Sequence, residues 1–376
     1  MTTETLRVIE AKAPTRIDLA GGTVDIWPLY LFLNRPVTLN LGIDLFAEAK
    51  IEEFRETSPR VILSSGDQGA ELSMTWDELQ AGKSTVPPSL ILLYKLLRHF
   101  LPKRIEAGHH DPNLSLKLTT VARSPAGAGL GGSSALSVAL IGAIQYWAKS
   151  PSDSTSSPTL LMDPLKEGER WIDIIRDIET TVIEVPAGLQ DYYGAMFGGL
   201  QSLRWKAGSH ERHWLPETIL EELEKRILLF YSGQSRNSGI NNWALFKSFI
   251  DKQSQVKERF QKISDATNEL EEALKAHDWP AAALAIGKEW DTRRSLAEGI
   301  STPEMNEAFR IAQSLGAPAG KVCGAGGGGC FFVFVPSGAS DIKTNILAEI
   351  GALPGIRPLP FKASPRGLEV QVRREY

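Results

Sequence analysis

Cysteine is nearly absent from this chain of 376 residues, Cys323 and Cys330 being its only two. That excludes a disulfide scaffold, and with no histidine at the short spacing of a zinc site both read as free thiols in a reducing compartment. Excess charge is lacking as well: 41 Lys and Arg against 45 Asp and Glu leave a net charge of −4. No basic surplus is there to grip a nucleic acid or an anionic membrane. Long apolar runs are also missing, the stretch from Leu90 to Leu97 being broken by Lys95, so no membrane-spanning helix is expected. The first residues carry neither the basic start nor the apolar core of a signal peptide. The expectation is a cytoplasmic protein, monomer or homodimer, with a small-molecule partner and no nucleic-acid or membrane partner.

The length exceeds what one hydrophobic core usually serves, so two domains are expected. From Leu6 to about Leu63 short runs such as Phe46 to Ile51 alternate apolar and polar residues, the pattern of half-buried strands. Leu90, Leu93, Tyr94, Leu97 and Phe100 follow at helical spacing, and Leu114 to Val121 alternates again as a strand. A helix is predicted from Ser133 to Trp147, and a Ser/Pro-rich surface connection from Ser150 to Pro158. Asp163-Pro164 then signals a helix start, and the stripe Trp171, Ile174, Ile175 and Ile178 leaves Glu179 at its edge, bordering a cleft. Downstream, Ile227 to Tyr231 and Cys330 to Val335 read as strands, Val256 to Ala276 and Pro303 to Leu315 as helices. The polar stretch Lys206 to His213 reads as an interruption, which divides the chain into residues 1–205 and 206–376.

What stands out against this background is glycine, 33 residues of it, concentrated in two loops. One runs Pro125-Ala126-Gly127-Ala128-Gly129-Leu130-Gly131-Gly132-Ser133-Ser134-Ala135 between the predicted strand and helix; the other is Gly324-Ala325-Gly326-Gly327-Gly328-Gly329. Glycines let backbone N–H groups approach anionic oxygens, and a following helix adds its unpaired donors and the positive end of its dipole. Nucleotide chemistry is therefore expected. Gly127, Gly129 and Gly132 match G-x-G-x-x-G, but a helix and the Ser/Pro-rich loop stand where a dinucleotide fold has its acidic ribose ligand. No G-K-[ST] follows the glycines either, so the loop is not a Walker phosphate loop.

Three segments together resemble the GHMP kinases, named for galactokinase, homoserine kinase, mevalonate kinase and phosphomevalonate kinase. Ala13 to Asp25 is similar to their N-terminal substrate motif, Pro125 to Ala135 to their P-x-x-x-G-L-G-S-S-A signature, and Gly320 to Gly329 to their C-terminal glycine motif. The resemblance implies an α+β fold: an N-terminal mixed α/β domain and a C-terminal ferredoxin-like domain, with the active site in the cleft between them. The implied activity is transfer of the γ-phosphoryl of ATP to a hydroxyl, with ATP and Mg2+ as cofactors. ATP would lie on Pro125, Gly127, Gly129, Leu130, Gly131, Gly132, Ser133, Ser134, Gly326 and Gly327, with Mg2+ on Ser134 and Glu179. Asp191 would take the acceptor's proton, and Arg16 would face it. Asp25, Gly22, Thr23, Gln190, Arg236 and Gly327 would line the acceptor site.

Gly21-Gly22-Thr23 replaces the Gly-Glu-His of galactokinases and mevalonate kinases. The resemblance runs instead toward bacterial heptose-phosphate kinases and their sugar 1-kinase relatives, on Gly188-Leu189-Gln190-Asp191, Tyr231 to Arg236, Glu289-Trp290 and Arg293-Arg294. It implies a sugar-phosphate acceptor, with Arg236, Arg293 and Arg294 as candidates for its phosphate. Trp27 reads first as a core residue and second as a platform for a sugar face. A free-sugar kinase, a mevalonate kinase, a non-catalytic sensor and an NAD-linked oxidoreductase are the alternatives.

Overall fold

The structure, a computed structural model, describes residues 4–82, 85–151, 163–184, 187–234, 245–251 and 254–373. Two long strands, β1 (Glu4–Ala20) and β2 (Val37–Arg55), pair antiparallel and form the spine of the first sheet. Their register sets Arg16 opposite Gly42 and Asp18 opposite Asn40. β3 (Val61–Ser65) and β4 (Ala70–Met74) form a hairpin; β5 (Ser115–Ala122) runs parallel to β3 and pairs with the second half of β2. Between them lie α1 (Trp76–Ala81), which Thr75 and Glu78 close with a capping box, and α2 (Ile91–Glu106). β5 delivers the chain into the first glycine loop and then into α3 (Gly132–Lys149).

Helix α3 is buried along almost its whole length, as its all-round apolar sequence requires. Its neighbour α4 (Pro164–Ile183) is amphipathic, begins at Asp163 as a side-chain N-cap with Pro164 in the first turn, and buries Glu179. The short helix α5 (Gln190–Phe197) packs on α3, α4 and β1. β6 (Leu200–Lys206) joins the first half of β2, and β7 (Ser209–Trp214) folds back on β6. The polar stretch after Lys206 is thus an edge strand rather than an interruption. The chain turns at Gly208 with φ of +72°, and the inward residues of β7, His210 and Arg212, are half-buried but polar, so the sequence lacks the apolar alternation of a half-buried strand.

After α6 (Glu217–Arg226) comes a second, wholly antiparallel sheet. β8 (Ile227–Tyr231) is followed by α7 (Ser254–Lys275), α8 (Trp279–Arg294) and α9 (Pro303–Ser314), then by β9 (Ala319–Val322), β10 (Cys330–Phe334), α10 (Ser340–Gly351) and β11 (Arg357–Pro358). The order β11-β8-β10-β9 is the 4-1-3-2 order of a ferredoxin-like βαββαβ unit. The chain then returns, and β12 (Glu369–Arg373) pairs with β1. The first sheet therefore takes strands from both sides of residues 205 and 206. Most of the Ser/Pro-rich connection expected at Ser150 to Pro158 lies outside the described residues. Among the described residues no helix is long and apolar enough to cross a membrane.

A buried charge cluster fixes the far end of α3. Glu53 on β2 accepts from Arg7 Nε at 2.7 Å, Arg104 Nη2 at 3.0 Å and Trp147 Nε1 at 2.9 Å. Both arginines donate onward to carbonyls just past the helix, Arg7 to Pro151 at 2.7 Å and Arg104 to Ser150 at 2.8 Å. Burial lowers the Arg104 pKa to about 10 even with Glu53 beside it. Glu53→Gln strands two buried guanidinium groups, and a loss of about 3–5 kcal/mol is expected in chemical denaturation. A loss under about 1 kcal/mol would mean that the pair is solvated when Glu53 is gone.

Candidate active site

Arg16, 3% exposed on β1, meets three parts of the chain at once. Its Nε donates to Asp191 Oδ1 at 2.8 Å, with Nη2 on the same oxygen; Nη1 donates to the Gly129 carbonyl at 2.6 Å, and its backbone N–H to the Leu130 carbonyl at 3.0 Å. Asp191 Oδ2 is left for another partner. Asp191 also abuts the start of α3, where a Cβ on Gly131 would come 3.2 Å from its own.

The two glycine loops, from different sheets, lock backbone to backbone. Cys330 N–H donates to the Ala128 carbonyl at 2.7 Å, and a Cβ on Gly129, where φ is +73°, would stand 2.6 Å from the Cys323 carbonyl. The first loop supplies the donors. Gly131 is the N-cap of α3 in a left-handed conformation and brings no side chain to cap it. The first amides of the helix, at Gly132, Ser133 and Ser134, have no carbonyl one turn back to bind, and an anion suits that end. In the second loop the Gly327 N–H is already given to the Ile300 carbonyl, and the Gly329 N–H to Gln234 at 2.9 Å. Gly326 packs tightly there, a Cβ on it falling 2.4 Å from the Ile300 carbonyl. This loop shapes the wall and has fewer amides to offer than the glycine count suggests.

Glu179 sits beside that helix start, 5% exposed, among hydroxyl groups. Ser133 Oγ donates to Oε1 at 2.6 Å, Ser137 Oγ to Oε2 at 2.9 Å and Tyr192 Oη to Oε2 at 2.7 Å. Burial raises its pKa above the usual carboxylate range against the pull of those three donors. The serine on Glu179 is thus Ser133, while Ser134, the partner expected from the sequence, hydrogen-bonds with Tyr192. Among the described residues no cluster of three or more His, Cys, Asp and Glu forms a metal site by itself. One carboxylate with neighbouring hydroxyls is nonetheless an all-oxygen set. That suits Mg2+, which takes few protein ligands and completes its shell with water and phosphate oxygens.

On the other side of Asp191 lies the expected acceptor wall. Asp25, 1% exposed, accepts the Gln190 N–H at 2.9 Å and so caps the start of α5; Asn40 Nδ2 holds the Gln190 carbonyl at 3.0 Å. Burial, opposed by backbone amides and reinforced by Asp191 and Asp18, pushes Asp25 up to about 7. Gly22 has no room for a side chain, since its Cβ would lie 2.2 Å from Asp18 Oδ2 and 2.9 Å from Gln190 Nε2. Thr23 takes a left-handed φ of +69° beside it.

Arg293 does not face a ligand. It is 1% exposed and bound to Glu289, Thr23 and the Gly22 carbonyl, whereas Arg294 is exposed and paired with Asp291. Arg236 lies outside the described residues. Trp27 is 66% exposed and is not a core residue. The residues sequence reasoning missed are Ser137, Tyr192, Asn40, Asp18 and Lys321. Ser137 was findable, one helical turn beyond Ser133; Lys321 was not, because its partners are remote in the chain.

A family model described as the GHMP kinases N terminal domain matches residues 92–199, and one described as GHMP kinases C terminal matches residues 270–351. A D-glycero-alpha-D-manno-heptose 7-phosphate kinase of Campylobacter jejuni is 26% identical over 337 residues, 88% of this chain and 90% of that protein. An L-fucokinase/L-fucose-1-P guanylyltransferase of Bacteroides fragilis is 27% identical over 97% of this chain, which spans 38% of that longer protein. The crystal structure of a D-glycero-D-manno-heptose 1-phosphate kinase from Bacteroides thetaiotaomicron superposes with a TM-score of 0.69 at 24% identity, covering 96% of this chain and 98% of that one.

Two outcomes test this geometry. Because Asp25 is raised to about 7 from 3.8, the stability it contributes is full below the lower value and is lost as pH rises through the upper one. Denaturation midpoints should therefore fall relative to Asp25→Asn between about pH 4 and 7 and run parallel above about pH 8; a constant difference would refute the raised pKa. Gly129→Ala forces a Cβ into the Cys323 carbonyl at a left-handed φ, so nucleotide affinity should drop at least about tenfold, together with stability. Unchanged affinity by calorimetry would detach the loop contact from nucleotide binding.

Proposed function

The chain belongs to the GHMP kinases, and we propose that it transfers the γ-phosphoryl group of ATP to a hydroxyl of a sugar or sugar phosphate, first of all the anomeric hydroxyl of a heptose 7-phosphate-like acceptor. The observation that carries this reading is the place of Asp191, between the uncapped start of α3 and the wall of Asp25 and Gln190, with one carboxylate oxygen left open by Arg16. The names of the relatives, one a heptose 7-phosphate kinase and one an L-fucokinase, support a sugar class of acceptor.

In this mechanism the amides at the start of α3, with the Gly127 to Gly132 turn, cradle the phosphates of ATP. Asp191 Oδ2 accepts the proton of the acceptor hydroxyl as that oxygen bonds to the γ-phosphorus and the bond to the departing ADP oxygen breaks. Arg16 keeps Asp191 aimed and places positive charge beside the transferring group. Glu179, with Ser133 and with Ser134 one residue on, would hold Mg2+, which neutralises charge on the β- and γ-phosphate oxygens. Ser133 Oγ, which donates to Glu179 here, would offer that ion an oxygen lone pair. Asp25 and Gln190 supply paired polar groups for sugar hydroxyls, and an acceptor lacking them leaves those groups unsatisfied at about 1–3 kcal/mol. A monomer or homodimer acting on soluble metabolites in the cytoplasm completes the reading.

ADP release with Mg-ATP over heptose 7-phosphates, L-fucose, galactose and mevalonate tests it. A heptose 7-phosphate should be the best acceptor, and Asp191→Asn should lower kcat by about 10²–10⁴ while leaving ATP binding intact. Activity on free sugars alone moves the reading to a sugar 1-kinase of the fucokinase type, and a near-normal rate in Asp191→Asn removes it as the base. Glu179→Gln should raise the Mg2+ concentration for half-maximal rate by at least about tenfold.

A further inference from the structure

Four buried charged side chains lie behind the acceptor loop and none of them has a part in the mechanism above. Glu289 and Arg293 stand one turn apart on α8, 0% and 1% exposed, joined by Arg293 Nε at 2.9 Å and Nη2 at 2.6 Å to Glu289 Oε1. Lys321 on β9 lies 3.2 Å from the same oxygen and 3.4 Å from Asp18 Oδ2 at the end of β1. The signs alternate, Asp18, Lys321, Glu289, Arg293, and cancel. Burying four charges is no gain in stability over apolar packing, so what the set holds is the better guide to its use.

What it holds is the turn from Gly21 to Asp25. The Gly21 N–H donates to Glu289 Oε1 at 3.2 Å, Arg293 Nη2 donates to the Gly22 carbonyl at 2.8 Å, and Nη1 reaches Thr23 Oγ1 at 3.4 Å. Asp18 Oδ2 fills the space a Gly22 side chain would need. The turn includes two left-handed residues, Gly21 at +81° and Thr23 at +69°. For a β-branched threonine that conformation costs about 1–3 kcal/mol and persists only where the surroundings over-determine it. All three nitrogens of Arg293 bond to Glu289 or to this turn, and at 1% exposure the side chain is not open to a substrate phosphate.

We propose that Arg293 and Glu289 are positioning residues for the acceptor: they clamp the Gly21–Thr23 turn from the second domain and thereby set where Asp25 stands, without touching substrate themselves. This rests on the reading of the Asp25 side as the acceptor wall. Lys321 and Asp18 complete the clamp by tying it to β9, the strand that leads into the second glycine loop.

The test uses the full chain with Arg293→Lys and Glu289→Gln, and Lys288→Ala as a control, Lys288 being an exposed partner of Glu269 on the same helix. In both clamp variants the acceptor KM should rise at least about tenfold while the ATP KM stays within about twofold. Amide hydrogen exchange should quicken in the peptide covering residues 19–26 and stay unchanged in those covering 125–135 and 324–330. Parallel rises in both KM values, exchange spread over α8 and β9, or global unfolding of both variants would make the set merely structural and overturn the proposal, as would an unchanged acceptor KM. If the wild type phosphorylates no sugar, the acceptor reading fails by itself, and the exchange pattern still decides whether the clamp holds the turn.

Discussion

The guanidinium of Arg16 is the contact on which the rest of the site depends. One side chain from the first strand binds Asp191 through two nitrogens and the Gly129 carbonyl through a third, while its own amide binds Leu130. Strand, first glycine loop and α5 are fixed together by a planar fork that a lysine, with its single rotatable ammonium, does not reproduce. The stem needs room as well, and Gly194 supplies it: a Cβ there would lie 2.9 Å from that of Arg16. Burial works against the Arg16 charge, but Asp191 and Asp18 more than offset it, so its pKa is raised.

Around that contact four carboxylates stand in four different environments, and the differences separate their roles. Asp191 is paired with an arginine and partly open to solvent. Glu179 is buried among neutral hydroxyls, a surrounding that raises its pKa and that a divalent cation would relieve. Asp25 is buried with only backbone amides to donate to it, and burial pushes it up to about 7. Asp18 faces Lys321 and serves the turn in front of it. The same functional group, a carboxylate, thus meets four different surroundings because burial and partners differ.

Much of this was legible in the sequence where local chemistry decides. The apolar run Ile227–Tyr231 became β8 with those bounds, Asp163-Pro164 began α4, and Glu179, at the edge of the stripe on that helix, is buried beside the start of α3. The two glycine loops met as their spacing and sequence suggested. The rest depended on placement in three dimensions. Ser133 rather than Ser134 faces Glu179 because the left-handed Gly131 sets the rotation at which α3 begins, and no pattern of residue types reveals that angle. Arg293 was a candidate for a substrate phosphate on the resemblance alone; its burial follows from Glu289 and the Gly22 carbonyl, 271 residues away from it in the chain. Trp27 was read toward the core by its size, yet the turn that carries Asp25 inward presents Trp27 outward.

The two domains share an apolar cluster, in which Ile17, Leu41 and Leu130 pack with Leu229, Ile286 and Phe332, and at this site they meet through backbone and buried charge as well. Cys330 gives its amide to Ala128, Gly129 leaves only enough space for the Cys323 carbonyl, and α8 reaches across to hold the Gly21 turn. A hinge at this junction would break several buried hydrogen bonds at once, each leaving an unsatisfied group worth about 1–3 kcal/mol. Alignment in this structure rests on the close backbone contacts between the loops. For a transfer that depends on in-line geometry and on charge stabilisation more than on covalent chemistry, such a junction is an effective design. It accounts for the glycines and buried ion pairs found at this junction, both of which are unfavourable in an ordinary core.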